Sequence, residues 1–127
     1  MAQNIFPALR YADARAAVDF LTSVAGFEEL ALMQNEDGTI AHGELVFEGG
    51  VVMVSTTREE ESRFPGGPVT IYVAMDDVDA HHERAVAAGA EVVMDLTDQD
   101  YGSREYAIRD PGGNVWTFGT YRPQVGG

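Results

Sequence analysis

His42 and Glu44 stand two apart in the run Ile40-Ala41-His42-Gly43-Glu44-Leu45, whose pattern predicts a strand. Residues i and i+2 of a strand project to one face, about 7 Å apart. An imidazole beside a carboxylate can serve as a general base with its orienting partner, or as two ligands of a non-standard metal site. The same pair can line a pocket and hydrogen-bond a ligand, or simply face solvent. His81 and His82 pair only on paper. Helix neighbours diverge by about 100°, and zinc-binding helices use i and i+4. His82 lies one turn from Val78 and from Val86, which places it on the packing stripe of a helix.

Arg104 has the shape to clamp a carboxylate or phosphate bidentately, or to be spent on a neighbouring acid. Trp116 and Phe118 share one strand face, as do Phe6 and Ala8. Tyr101, Phe64, Tyr106 and Tyr121 fall in or near loops expected at the rim of a cleft. An aromatic slot stacks planar ligands and, beside acidic groups, attracts cations. Plain core packing is the competing use of such rings. Trp116 and Thr117 alternate, so only one of them can face a cleft. No phosphate loop, dinucleotide fingerprint or nucleophile elbow occurs.

The elements that must position these residues occur twice. Val24-Ala25-Gly26-Phe27-Glu28-Glu29-Leu30 resembles Ala87-Ala88-Gly89-Ala90-Glu91-Val92-Val93, and Gly49-Gly50-Val51-Val52 overlies Gly112-Gly113-Asn114-Val115, both at an offset of 63. The first half reads as a strand over 5–11, then a helix capped by Asp13 with Ala17, Val18, Leu21, Val24 and Ala25 at helical spacing. Gly26 is its left-handed stop. Strands over 28–33, 40–47 and 51–56 follow. The second half gives a strand over 69–75, a helix from Asp76 or Asp77 to Gly89, and strands over 91–96, 103–109 and 115–121. Asp110-Pro111-Gly112-Gly113 is the last hairpin turn. Each half is therefore βαβββ, with residues 58–68 as linker. Two such curved sheets can enclose a concave pocket for a small molecule.

The chain has 127 residues, 8 arginines and no lysine against 21 acids, for a net charge of −13. That size makes one domain. Without lysine there is no Schiff-base chemistry, and without cysteine no disulfide, thiolate zinc site or thiol nucleophile. The acidity disfavours nucleic acid and would draw a cationic ligand inward. No stretch reaches the roughly 18 apolar residues of a membrane span, and the start lacks the pattern of a signal peptide. The cytoplasm is the expected location.

The strings LRYAD-x4-VDF, DDVDA and GSREYAIRDPGGNVWTF, set on this duplication, resemble the vicinal oxygen chelate superfamily. It includes glyoxalase I, extradiol dioxygenases, fosfomycin-resistance enzymes and bleomycin-resistance proteins. The likeness spans about residues 5–121, and REYAIRDPGGN is nearest to the bleomycin-resistance branch. It implies an α+β fold of two tandem βαβββ repeats, about 5–57 and 69–121, forming curved mixed sheets around a cleft in a single 1–127 domain. The family's metal-ligand positions fall at Phe6, Met53, Thr70 and Thr117. A phenyl ring and a thioether are not ligands for hard metals, and lone threonine hydroxyls are poor ones. Neighbours one residue away supply no better donor.

The expectation is therefore a protein without metal or cofactor that, like antibiotic-sequestering members, captures a small molecule in an aromatic-lined cleft, its acidity favouring a cationic one. Phe6, Met53, Thr70, Thr117 and Phe118 would line it, with His42, Glu44, Tyr101 and Arg104 as polar contacts. The alternative is a lyase, isomerase or oxidoreductase with an atypical site at His42 and Glu44. Similar proteins are commonly homodimers, so a homodimer is expected, with neither nucleic acid nor membrane as partner.

Overall fold

The computed structural model describes Gln3, residues 5–57 and residues 68–123. Phe64 and nearly all of the expected linker lie outside the described residues. The chain divides after Pro68 into two compact units, and each is a βαβββ unit with one mixed four-stranded sheet.

In the first unit β1 (Ala8–Tyr11), α1 (Ala14–Ser23), β2 (Glu28–Gln34), β3 (Ile40–Phe47) and β4 (Gly50–Thr56) follow one another. The sheet order is β1-β4-β3-β2, with β1 and β4 parallel and the other pairs antiparallel. The Asp13 carboxylate accepts from Ala16 N at 3.0 Å and caps α1. Ala14, Ala17, Val18 and Leu21 form its buried stripe, at three- and four-residue spacing. They pack on Leu9, Tyr11, Leu45, Val52 and Val54, which face the helix by strand alternation. Gly26 adopts φ 84°, and the chain turns back so that Phe27 N donates to Leu21 O at 2.8 Å.

The first strand is shorter than the expected 5–11. Pro7 has no N–H to give to a ladder, although its carbonyl accepts from Met53 N at 2.9 Å. Beyond it the Gln3 amide stands in for a strand, accepting from Val51 N at 2.7 Å and donating to Val51 O at 2.9 Å.

The second unit repeats this order as β5 (Thr70–Ala74), α2 (Val78–Ala87), β6 (Glu91–Asp98), β7 (Arg104–Arg109) and β8 (Val115–Gly119), arranged β5-β8-β7-β6. Of the two possible caps, Asp77 accepts from Ala80 N at 3.1 Å. Trp116, Phe118, Tyr106 and Ile108 are fully buried on the α2 side of the sheet. Each such ring or branched chain contributes roughly 1.5–3 kcal/mol by its burial.

The hairpin after β7 is held by one carboxylate. Asp110 accepts from the backbone N–H of Gly112 and of Asn114, both at 2.9 Å. Its other oxygen accepts from Asn114 Nδ2 at 3.1 Å and Trp116 Nε1 at 2.9 Å. The DPGGN turn and the indole at the centre of the core are thus one construction.

Candidate functional site

Each sheet has a helix-covered face and an opposite face, and Met53, Thr70 and Thr117, three of the positions that the resemblance aligns with metal ligands, lie on the opposite ones. In the first unit that face carries Ala8 and Arg10 from β1, Met53 and Ser55 from β4, and His42 and Glu44 from β3. Met53 lies between Ala8 and Glu44 in the ladder. His42 Nε2 meets Glu44 Oε2 at 2.8 Å, with both side chains about a third exposed (38% and 35%). The two side chains share the face that alternation assigns them, and they are bonded to each other. A shallow open depression of about 190 Å³ lies against Ala8, Arg10, His42, Met53 and Ser55. Phe6, just before β1, is exposed.

The corresponding face of the second unit carries Thr70 and Tyr72 from β5, Thr117 and Gly119 from β8, and Glu105 and Ala107 from β7. Thr117 sits between Tyr72 and Ala107. Glu105 is only 5% exposed although it faces away from the helix. Its Oε2 accepts from the Tyr101 hydroxyl at 2.8 Å, and Oε1 accepts from Gln99 Nε2 at 3.5 Å. The Tyr72 hydroxyl donates to Tyr121 O at 2.7 Å, and the Tyr101 and Tyr121 rings meet edge to face at 6.1 Å. The hydrogen bond to Glu105 raises the Tyr101 phenol, pushed up to about 12. Glu105 entered the sequence reading only as part of the segment after Gly102. Nothing in its immediate neighbours signals that it is buried on this face.

Four expectations are corrected. Phe118 does not line the face that bears Thr117. One position on, it points to α2, fully buried, with its ring stacked on Tyr106 at 5.6 Å. Trp116 lies on that same side, as the placement of Thr117 requires. Tyr106 is not at a rim but in the centre of β7, fully buried, and burial raises its phenol well above the ordinary range. Arg104 also points to the helix side, where Nε reaches Asp79 at 2.7 Å and Nη1 reaches Asp98 at 3.1 Å. These bonds, to Asp79 first, hold the guanidinium in its charged form and occupy the fork that an anion would need. Finally, His81 rather than His82 is the fully buried histidine, while His82 is partly buried, as expected, with its ring edge-on to Tyr106 at 4.9 Å. Val78, His81 and Ala85 are the buried stripe, and His81 Nδ1 shares a 2.5 Å hydrogen bond with the Tyr106 hydroxyl. His82 instead meets Asp95 at 2.8 Å.

A sequence model of the Glyoxalase/Bleomycin resistance protein/Dioxygenase superfamily matches residues 6–118. The chain belongs to this superfamily. The uncharacterized protein Mb0911c of Mycobacterium bovis is 37% identical over 131 residues, covering 94% of this chain and 86% of its own. Among solved structures, TioX from Micromonospora sp. ML1 is 37% identical, with a TM-score of 0.76 over 95% of this chain and 100% of that one. Lactoylglutathione lyase from Agrobacterium tumefaciens, 21% identical with a TM-score of 0.69 over 94% of this chain and 93% of its own, shares the fold.

The metal that the superfamily's enzymes hold does not fit the residues present. Phe6, Met53, Thr70 and Thr117 bring a phenyl ring, a thioether and two hydroxyls to the four positions that the resemblance aligns with the metal ligands. None carries the carboxylate or imidazole that a divalent ion needs there. Among the described residues no three His, Asp or Glu side chains gather elsewhere as an alternative. No helix among them is long and apolar enough to cross a membrane.

Proposed function

We propose that this superfamily member binds a small organic molecule by stoichiometric capture and does not turn it over. The reading places it with the antibiotic-sequestering, bleomycin-resistance-like members. The donor set carries it: the positions that the resemblance aligns with the relatives' metal ligands hold a ring and a thioether in the first unit and two hydroxyls in the second, side chains suited to contact with an organic ligand. Met53 adds a polarisable side chain that adapts to irregular apolar shapes. His42, Glu44 and Tyr101 supply polar contacts, and the −13 charge favours a cationic ligand. The functional particle is proposed to be a cytoplasmic homodimer.

Protein purified without chelator should carry no stoichiometric divalent ion by elemental analysis. A bound ion at His42 and Glu44 would sink the metal-free reading. Titration calorimetry with a bleomycin-type glycopeptide should give saturable heat at one ligand per site. The absence of heat at high micromolar ligand would count against antibiotic capture. Sedimentation should show a dimer, and a clean monomer would overturn that part.

The 2.8 Å contact between His42 and Glu44 favours a second reading, a lyase, isomerase or oxidoreductase acting at that pair. In it Glu44 orients the imidazole as a base. Turnover of any test substrate that His42→Ala abolishes without unfolding would replace the capture reading with this one.

A further inference from the structure

Glu105 presents an unusual combination on the face of the second sheet that carries Thr117. Its side chain is buried, the residue only 5% exposed, and no Arg or His among the described residues forms an ion pair with it. A carboxylate offers about four acceptor sites. Here one phenol at 2.8 Å and one distant amide at 3.5 Å are its hydrogen-bond donors. Desolvating a carboxylate without a counter-charge is costly, and a cation brought to it recovers that cost.

The surroundings suit a particular kind of cation. Gly119 forms the floor: a Cβ there would come within 2.6 Å of the Tyr72 hydroxyl oxygen and 2.7 Å of Glu105 Cγ. The absence of a side chain at this one position lets both groups lie down over the backbone. Three tyrosines stand around them. Tyr72 is tied to Tyr121 O at 2.7 Å, Tyr101 is tied to Glu105, and the rings of Tyr101 and Tyr121 are nearly perpendicular at 87°. All three rings remain exposed while the carboxylate beneath them is not. Ring faces attract a poorly hydrated, diffuse cation, the basis of aromatic cages for quaternary ammonium groups. A compact inorganic ion favours several charged oxygen ligands, and among the described residues no three acidic or histidine side chains gather here.

We propose that Glu105, walled by Tyr72, Tyr101 and Tyr121 over Gly119, is a recognition site for an alkylammonium group of an organic ligand. The proposal rests on the capture reading only in taking the chain to bind a small molecule; it names the chemical group that this sheet holds. Tyr101 keeps the carboxylate hydrogen-bonded when the site is empty, and the ring remains as a wall when a cation arrives.

The test uses the full chain, titrated with choline and with its uncharged isostere 3,3-dimethylbutan-1-ol, followed by amide chemical shifts. Choline should move the resonances of Tyr101, Glu105, Gly119 and Tyr121, and bind about tenfold or more tightly than the isostere. Glu105→Gln keeps the shape and an acceptor oxygen for the Tyr101 hydroxyl but removes the charge; it should cost about tenfold for choline and leave the isostere unchanged. Tyr101→Leu, at an exposed position, should weaken choline about fivefold while the spectrum stays folded, which keeps the test valid if Glu105→Gln unfolds. Equal binding of the two probes, or choline shifts that map elsewhere, would overturn the site. A bleomycin-type glycopeptide run in parallel separates the two claims. Glycopeptide binding with no choline response removes this site and leaves capture standing, whereas a choline response at Gly119 without glycopeptide heat supports the site and removes antibiotic capture.

Discussion

Asp110 shows how much one side chain can decide. Its two oxygens receive four N–H groups, three from the turn and one from the indole of a fully buried tryptophan. Removing the carboxylate leaves several donors unsatisfied in the interior, and each such donor costs about 1–3 kcal/mol. Asp110→Ala should therefore destabilise the protein by about 2–5 kcal/mol in urea unfolding, with a blue-shifted or weakened Trp116 emission. A loss below about 0.5 kcal/mol would show that water replaces the carboxylate without penalty. Tyr101 offers a second reading at this scale. Its hydrogen bond to Glu105 lifts its phenol to about 12 from the ordinary value of 10. A folded-state value raised in this way means that the bond stabilises fully below pH 10 and is lost as pH rises toward about 12. Ultraviolet titration should find one late-ionising exposed tyrosine, and Glu105→Ala should return it toward 10. No change on that substitution would contradict the assignment.

At the scale of elements, the two helices test how far local pattern decides structure. Both begin at an aspartate whose carboxylate accepts from the third residue on, at 3.0 Å for Asp13 and 3.1 Å for Asp77. Asp13→Ala and Asp77→Ala should each cost about 1 kcal/mol by urea unfolding. Asp76→Ala, next to the cap and engaged among the described residues with Arg122 on the surface, should stay within about 0.5 kcal/mol of the parent. Equal effects at Asp76 and Asp77 would mean that charge near the helix start matters and the cap bond does not. The Asp13 cap, the succession of elements and the repeat were legible because each rests on neighbours in sequence. Alternation alone also placed Thr117 opposite Trp116, and the same rule, carried one residue further, excludes Phe118 from the Thr117 face. What sequence did not disclose was set by distant partners. An acid partner for Arg104 is one of the readings its sequence allows, but only the fold brings Asp79 to it from α2. His81 turns inward because Tyr106, 25 residues away, offers a hydroxyl. Glu105 is buried beside a glycine fourteen residues on, where a Cβ would strike its Cγ at 2.7 Å, and no pattern around residue 105 records that.

For the molecule as a whole, the excess of 13 negative charges and the single carboxylate at Glu105 should act on a cation in separable ways. The first is a field spread over the surface, and salt screens it: the Debye length falls from about 30 Å at 0.01 M to about 8 Å at 0.15 M. The second is a short-range interaction at a desolvated group, which salt reaches far less. Choline affinity should therefore drop severalfold between about 0.01 and 0.15 M sodium chloride, then level off at higher salt. Glu105→Gln changes one charge among many, so it should shift the whole curve to weaker binding and leave its slope nearly unaltered. The isostere 3,3-dimethylbutan-1-ol should show no salt dependence at all. Parallel, offset curves for parent and variant would assign encounter to the net charge and retention to Glu105. A variant whose salt dependence vanishes would instead place the entire attraction at that one residue, and the acidic composition would then serve solubility alone.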